Sequence, residues 1–371
     1  MPKLVSICIV FLVFFLSGCA EQGRDLLEED LVGQSLNGSG EDLTPSILPE
    51  TSVMEIVKGP TGPLAKYKGL WLPFLREVKI AAENIESLKE DGINVVAIGV
   101  KVVATDEEHE WAVSEIREQE NESEILESIN TFHKNGIKTI IILNPAHGEY
   151  GVSPHPSEGT GKGLLEMHDS IVMKWAKISE AYGVDTFCPM NEPSLLAGTE
   201  DLSAWAQEIL PKIRSVYQGK TAFRVQNLGE DYPLYDLAGY DYVLPMATLC
   251  TSDVEHPDEN HYKHMKSKNL ESLGKIKAAY PGHEIIFFEV GGYTGPDFYW
   301  WEPIVPENQA KSQHDWPDDF FMVSPEGQAR CFETFFEVGW EESEGYLINV
   351  AKGFEFQGKP AEAVIKARFN G

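Results

Sequence analysis

Residues 90–100 have the sequence EDGINVVAIGV, and the same pattern returns in residues 134–144, KNGIKTIIILN, and residues 181–191, AYGVDTFCPMN. In each copy an amphipathic segment ends at a glycine, and a run rich in Ile, Val or Phe follows. A glycine at that point suits the left-handed residue that ends a helix. An apolar run without alternation suits a strand buried on both faces. The pattern therefore predicts a parallel sheet whose strands alternate with helices.

The alternation continues through residues 64–371, which we predict to be one folded body. Strands are predicted at Tyr67–Leu72, Asn94–Val103, Lys138–Asn144, Thr186–Asn191, Ala222–Gln226, Asp241–Thr248, Glu284–Val290 and Gly345–Val350. Helices are predicted at Ile80–Glu90, Ser123–Asn135, Leu164–Tyr182, Leu202–Tyr217, Tyr232–Ala238, His264–Tyr280, Pro325–Trp340 and Ala361–Arg368. Eight such repeats favour a closed (β/α)8 TIM barrel. An open doubly wound sheet is the alternative, but the Gly-rich turn that it often carries after its first strand is missing.

Composition limits the partners of this body. The chain has 371 residues, 42% of them hydrophobic and 24% charged, and a formal net charge of −29. A surface this acidic repels nucleic acid and anionic bilayers, so a neutral polymer is a more natural ligand. Beyond the N-terminal segment the three cysteines are widely spaced and odd in number, so neither a disulfide framework nor a metal site is predicted.

The N-terminus is a separate object. Lys3 precedes an apolar run from Leu4 to Leu16, and Leu16-Ser17-Gly18-Cys19 resembles the lipobox of a lipoprotein signal. The resemblance implies a signal peptide at residues 1–18 and a lipid on Cys19. Residues 19–63 are acidic, contain Gly, Ser and Pro and have no sustained periodicity, which predicts a flexible linker. An uncleaved anchor helix is the alternative, although the run is shorter than the roughly 20 residues of a bilayer span. Either interpretation places the body at the outer face of the cell membrane.

Two glutamates stand where predicted strands end. Glu192, in Asn191-Glu192-Pro193, follows the fourth strand, and Glu289 lies at the end of the seventh. The carboxyl ends of barrel strands meet at one mouth, where the reactive residues of such barrels are found. A pair of carboxyl groups at one site is the working part of most glycosidases. We therefore expect the two side chains to converge.

Asn191-Glu192-Pro193 and the run Phe287 to Tyr293, FFEVGGY, resemble the clan A glycoside hydrolases, the four-seven superfamily of retaining cellulases, mannanases and galactanases. The resemblance implies that Glu192 is the acid/base, Glu289 the nucleophile and Asn191 a hydrogen-bonding partner of the sugar 2-hydroxyl. It implies no cofactor. The chain lacks the His-x-Tyr pair near the sixth strand and the tryptophan at the end of the eighth that many relatives carry, which argues against membership in the main cellulase family but not in the clan.

Other candidates for binding sugar come from neighbouring strand ends. Tyr293, Trp300 and Trp301 follow the seventh strand, and aromatic rings in glycan clefts cover the flat faces of sugars. Trp71 lies on the first strand. Asn144 and His147 follow the third, where His147 either contacts substrate or is an ordinary loop histidine.

These features together predict a secreted, lipid-anchored retaining β-glycosidase that acts on a polysaccharide or oligosaccharide, with endo action. A surface glycan-binding lipoprotein on a degenerate barrel is the first alternative, since it would keep the aromatic loop and need neither glutamate. A barrel enzyme of another chemistry, such as an aldolase or a metal hydrolase, is the second. Lys101 and Lys352 are the lysines near strand ends, and neither has an obvious activating neighbour.

Overall fold

Eight strands pair in parallel and close into a barrel. The computed structural model describes residues 55–105, 115–118, 122–147, 161–193, 197–225, 234–246, 259–291, 325–350 and 355–371. Its strands are β1 (Tyr67–Leu72), β2 (Val95–Thr105), β3 (Glu115–Glu118), β4 (Lys138–His147), β5 (Thr186–Cys188), β6 (Lys220–Val225), β7 (Tyr242–Pro245), β8 (Glu284–Val290) and β9 (Gly345–Asn349). The sheet runs β1-β9-β8-β7-β6-β5-β4-β2, and β1 pairs with β2 to close it. This is the predicted (β/α)8 TIM barrel.

Helices follow most barrel strands. Those described are α1 (Leu75–Glu83), α2 (Ile85–Glu90), α3 (Glu122–Lys134), α4 (Gly161–Tyr182), α5 (Thr199–Arg214), α6 (Glu259–Ala279), α7 (Pro325–Gly339) and α8 (Pro360–Asn370). The three glycines that end the repeats, Gly92, Gly136 and Gly183, have φ of 78°, 76° and 67°, as predicted. None of the helices in the described ranges has the length and apolarity to cross a bilayer.

One predicted helix is wrong over its described residues. Residues 234–238 of the predicted Tyr232–Ala238 helix are not helical. The Asp236 side chain accepts a hydrogen bond from the Ala238 backbone N–H at 3.1 Å. A local bond of this kind offers the backbone an alternative to helical pairing. Tyr235 and Leu237 are nevertheless buried, so this non-helical segment still covers the barrel.

The core has two layers that follow strand alternation. Alternate side chains point into the barrel and form the inner cluster: Tyr67, Trp71, Val95, Ala97, Ile140, Ile142, Cys188, Ala222, Tyr242, Leu244, Ile286, Phe288 and Leu347. The intervening residues, such as Val96, Ile98 and Ile141, pack outward against the helices in a second cluster. The barrel interior is therefore filled with side chains, which leaves the mouth as the place for a site.

The segment before the barrel is attached to its amino-terminal face. Val57 N–H bonds the Asn130 side chain at 2.8 Å, and Gly59 N–H bonds the Tyr182 carbonyl at 2.9 Å. Lys138 Nζ, at the start of β4, bonds the Gly62 carbonyl at 2.6 Å. We predicted residues 55–63 to be the end of the linker. In the structure they are hydrogen-bonded to the ends of α3 and α4 and to the first residue of β4.

On the opposite face, β2 and β4 extend beyond the barrel rim. Their pairing runs as far as Ala104 with His147, and β3 pairs antiparallel with the last residues of β2. Glu118 of β3 accepts hydrogen bonds from Trp175 Nε1 at 2.8 Å and Lys174 Nζ at 2.6 Å. These contacts attach a short three-stranded wall, which the sequence did not predict, to α4 beside the mouth.

Candidate active site

Glu192 and Glu289 stand at the carboxyl ends of the fourth and seventh barrel strands, β5 and β8. β5 ends at Cys188, earlier than predicted, because Pro189 has no N–H to donate to a neighbouring strand. The backbone then continues to Asn191, whose N–H donates to the Leu143 carbonyl at 2.7 Å. Glu192 therefore follows a short irregular turn held against β4, whereas Glu289 still belongs to β8.

Both glutamates have a left-handed backbone. Their φ angles are 46° for Glu192 and 51° for Glu289, and no other described non-glycine residue has a positive φ. Left-handed backbone costs a residue with a Cβ about 1–2 kcal/mol. Conformations of this cost persist where the surrounding structure enforces them, and they cluster at functional sites.

A β-bulge re-aims Glu289. The pairing of β8 with β9 passes from Phe287 opposite Tyr346 to Val290 opposite Ile348, so Phe288 and Glu289 together face Leu347. Ile286 and Phe288 point into the barrel, and simple alternation would turn Glu289 outward toward the helices. The bulge breaks that alternation, and the Glu289 carboxylate instead reaches side chains of the barrel interior.

Two donors hold the Glu289 carboxylate. Trp71 Nε1 donates to Oε1 at 3.2 Å, and Arg224 Nη2 donates to Oε2 at 3.0 Å. Both donors come from buried side chains on β1 and β6, and both side chains lie close to the Phe288 ring. The Trp71 ring centroid lies 4.7 Å from that of Phe288, and the Arg224 guanidinium lies 5.2 Å from it. Each carboxylate oxygen is therefore fixed, and one of them faces a cation.

Glu192 has the opposite electrostatic environment. Burial raises its pKa to about 7, the negative charge of Glu289 adds to the increase, and Arg224 acts in the other direction. The interaction between the two carboxyl groups puts them in one site. A group with such a pKa holds its proton up to neutral pH, as a general acid must. The site thus combines a protonated carboxyl with a carboxylate held by two hydrogen-bond donors.

Two buried asparagines adjoin the glutamates. Asn191 Nδ2 donates to Asn144 Oδ1 at 2.9 Å. Asn191 Oδ1 is buried and has no protein partner among the described residues. Buried polar atoms are normally paired, so this oxygen is available to accept a hydrogen bond from a ligand.

A histidine supports the turn that carries Glu192. His168 of α4 is fully buried, and its Nε2 donates to the Pro189 carbonyl at 2.7 Å. Burial lowers the pKa of His168 to about 4, so the ring is neutral near pH 7. The neutral ring fixes the backbone three residues before Glu192.

The structure brings together most of the predicted site residues that it describes. Glu192, Glu289, Asn191 and Asn144 meet at the mouth. Trp71 also lies there, but it is fully buried and acts as a donor to Glu289. His147 is the last residue of β4, but its side chain is not among the described parts of the structure. The other predicted residues lie outside the described ranges: Tyr293, Trp300, Trp301 and Cys19.

Sequence reasoning missed Arg224 and His168. A signal for Arg224 existed, because a charged residue interrupts the apolar strand TAFRV at residues 221–225. A buried cation requires an anionic partner. Glu289, at the end of a predicted strand, could have been proposed as the partner of Arg224. His168 gives no comparable signal, since a histidine in an amphipathic helix is unremarkable.

Comparison with known proteins establishes the fold class. No protein-family model matches the chain, and no curated protein matches it by sequence. A GH113 beta-1,4-mannanase aligns with a TM-score of 0.57 at 15% identity, covering 83% of this chain and 100% of that chain. The GH113 beta-mannanase AaManA from Alicyclobacillus acidocaldarius aligns with a TM-score of 0.57 at 16% identity, covering 83% and 98%.

A Ruminococcus gnavus beta-glucuronidase aligns with a TM-score of 0.54 at 15% identity, covering 82% of this chain and 50% of that chain. The shared architecture is the barrel. The chain therefore has the fold of TIM-barrel glycoside hydrolases.

Proposed function

We propose that the protein is a retaining glycoside hydrolase of clan A, with Glu289 as nucleophile and Glu192 as acid/base. The observation that carries this proposal is the division of roles between two glutamates at one barrel mouth. The pKa of Glu192 is raised to about 7, while Glu289 is held by Trp71 and Arg224. Their positions at the carboxyl ends of the fourth and seventh barrel strands support it, and so does the barrel shared with a mannanase and a glucuronidase.

The first step forms a bond between Glu289 and the sugar. A Glu289 oxygen attacks the anomeric carbon while Glu192 gives its proton to the departing glycosidic oxygen. The donors from Trp71 and Arg224 orient the carboxylate for this attack. The products are a glycosyl ester on Glu289 and a free alcohol, and Glu192 is left as a carboxylate.

The second step releases the sugar with its anomeric configuration retained. Glu192 now removes a proton from a water, whose oxygen attacks the anomeric carbon from the side that the alcohol left. The ester bond breaks, and Glu289 returns to a carboxylate. One group serves as acid and then as base, which suits a pKa near neutrality.

Asn191 is the proposed partner of the sugar 2-hydroxyl. Its Oδ1 is a buried acceptor that has no partner among the residues the structure describes. A hydrogen bond there that strengthens as positive charge grows on the ring would stabilise the transition state selectively. We further propose that the substrate is a β-linked polysaccharide or oligosaccharide and that the action is endo. We also propose that a lipid on Cys19 holds the protein at the outer face of the cell membrane.

The decisive experiment is chemical rescue. Glu289→Ala should abolish hydrolysis of aryl β-glycosides, and azide should restore part of the activity by forming the glycosyl azide of inverted configuration. Glu192→Ala with azide should give the azide of retained configuration on substrates with good leaving groups. Wild-type rates in Glu289→Ala would contradict the assignment. The lipid is tested separately, by metabolic labelling of the wild type and of Cys19→Ala.

A further inference from the structure

A lysine of β2 points into the barrel mouth. On this strand Val95 and Ala97 belong to the inner cluster, whereas Val96 and Ile98 belong to the outer one. Gly99 continues the inward series, because a Cβ placed on it would lie 2.9 Å from Trp71 Cη2. Lys101 is the next inward position. Its side chain therefore leaves β2 on the carboxyl side of the Trp71 ring.

Lys101 stands beside the asparagine pair. Its Cα partner across the β2–β4 pairing is Asn144, and neighbouring strands are about 4.8 Å apart. Asn144 holds Asn191, the residue before Glu192. Lys101 is half-buried. An ammonium group in this position is placed to contact whatever sugar occupies the mouth.

The charge of Lys101 has no counterpart in the described part of the chain. Arg224, the other described cation of the mouth, is paired with Glu289 at 3.0 Å. At the opposite end of the barrel Lys138 is paired with Asp185. Lys101 has no ion pair or hydrogen bond to any described residue. With Glu192 protonated and Arg224 balanced by Glu289, the described mouth carries one unmatched positive charge.

We infer that Lys101 is a substrate-binding residue that recognises a carboxylate on the sugar, so that the preferred glycan contains uronic acid units. The inference rests on the proposed function and adds a substrate class to it. A uronate would pair with the half-buried ammonium, whereas a neutral sugar would shield it from water without a counter-charge, which is unfavourable. Sites of this kind discriminate against analogues that lack the matching group.

This conclusion differs from the neutral ligand that the net charge predicts. The charge of −29 belongs to the whole chain. At physiological ionic strength exposed charges more than about 8 Å away are largely screened, so a contact inside the mouth is governed by its nearest groups. The overall charge should instead slow the approach of an acidic polymer at low salt, and added salt should relieve that repulsion.

The test compares substrates that differ only at C6. Rates are measured on 4-nitrophenyl β-glucuronide against the β-glucoside, and on the β-galacturonide against the β-galactoside. The wild type should prefer the acidic member of at least one pair. Lys101→Met should lose about tenfold or more on that uronide, with a much smaller loss on its neutral partner. Lys101→Arg should keep most of the preference, and Lys79→Met, a surface control, should change neither rate.

Direct binding gives a second readout. In the Glu192→Gln background, calorimetric titration with oligomers of β-1,4-linked glucuronate and with cello-oligosaccharides, which differ from them at C6, should show a preference for the acid that Lys101→Met removes. If Lys101→Met does not fold, Lys101→Gln takes its place. Equal losses on both members of a pair, or a wild type that prefers the neutral members in rate and in binding, would overturn the inference. The proposed function fails independently, if Glu289→Ala hydrolyses glycosides as fast as the wild type.

Discussion

Glu192 and Glu289 share a left-handed backbone, with φ of 46° and 51°, although one follows β5 and the other belongs to β8. Glu192 sits in the turn after β5, and Glu289 sits in the bulge of β8. Glycine would adopt either conformation without steric cost. Two glutamates in such positions are consistent with the catalytic roles proposed for them, since a residue kept for its side chain retains a Cβ where glycine would be less strained.

The backbone conformation predicts an unusual order of stability among substitutions. Glu289→Gly should be more stable than Glu289→Ala by about 1 kcal/mol, because only alanine keeps a Cβ in the left-handed region. Denaturant unfolding of both variants gives the difference. The control is Glu284, at the start of the same strand, which has no positive φ and where the alanine variant should be the more stable one. If Glu289→Ala has the same free energy of unfolding as Glu289→Gly, the backbone at position 289 is not strained.

The raised pKa of Glu192 predicts the pH dependence of activity and stability. Values of kcat/KM should fall above about pH 7, as Glu192 loses the proton that it must donate. Since the pKa is higher in the folded state than in the unfolded state, the native protein should lose stability as pH rises through about 7. Glu192→Gln should therefore gain Tm relative to wild type at pH 8 more than at pH 5. An equal difference at both pH values would argue against a buried, titrating Glu192.

Substitutions of Arg224 and Trp71 should both lower the rate, but only substitutions of Arg224 should shift the pH profile. Arg224→Met should lower kcat/KM by about 10²-fold. It should also move the basic limb of the pH profile upward, because Arg224 lowers the pKa of Glu192. Trp71→Phe removes a neutral donor to Glu289 and should lower the rate without moving that limb. Arg224→Lys, which keeps the charge, should return the limb toward its wild-type position, and failure to do so would point to a packing effect.

The Asn144–Asn191 pair should act as a unit. Asn191→Ala should lower kcat/KM on ordinary glycosides and have little effect on 2-deoxy glycosides, which lack the proposed partner. Asn144→Ala should give a smaller loss, and the double variant should be no worse than Asn191→Ala, since Asn144 acts through Asn191. The double-mutant cycle is completed by measuring kcat/KM of the wild type, the two single variants and the double variant on both types of substrate. Additive losses would mean that Asn144 contacts the substrate itself.

His168 should make the protein sensitive to mild acid. Its pKa is lowered to about 4 by burial, whereas an unfolded histidine titrates near 6.5. Between these values the unfolded chain binds a proton that the native protein excludes, so stability should decline as pH falls. His168→Gln should show a shallower decline in the free energy of unfolding from pH 7 to pH 4. Parallel curves for the two proteins would rule out this contribution.

The sequence predicted the barrel well where local pattern and burial agree. β1 and β8 match their predicted bounds at both ends. Glu289 lies at the end of the seventh barrel strand, and Glu192 follows the end of the fourth. The misses have local causes. Pro189 shortens β5, and the Asp236 side chain replaces a predicted helix with a turn.

The remaining misses depend on residues that are distant in sequence. The pairing of Arg224 with Glu289 spans 65 positions, and the contact from His168 to Pro189 joins a helix to the strand end that follows it. Neither contact produces a periodic pattern that could be recognised in the sequence. The bulge that turns Glu289 inward is likewise a property of the β8–β9 register, which the sequence of β8 alone does not contain.

Residues 55–62 are held at one end of the barrel, and the two glutamates lie at the other. The chain enters the barrel on the face where strands begin, and both glutamates lie where strands end. The hydrogen bonds of residues 55–62 therefore load the end of the barrel remote from the mouth. Weakening them should lower the thermal stability of the barrel and leave Glu192 and Glu289 in place.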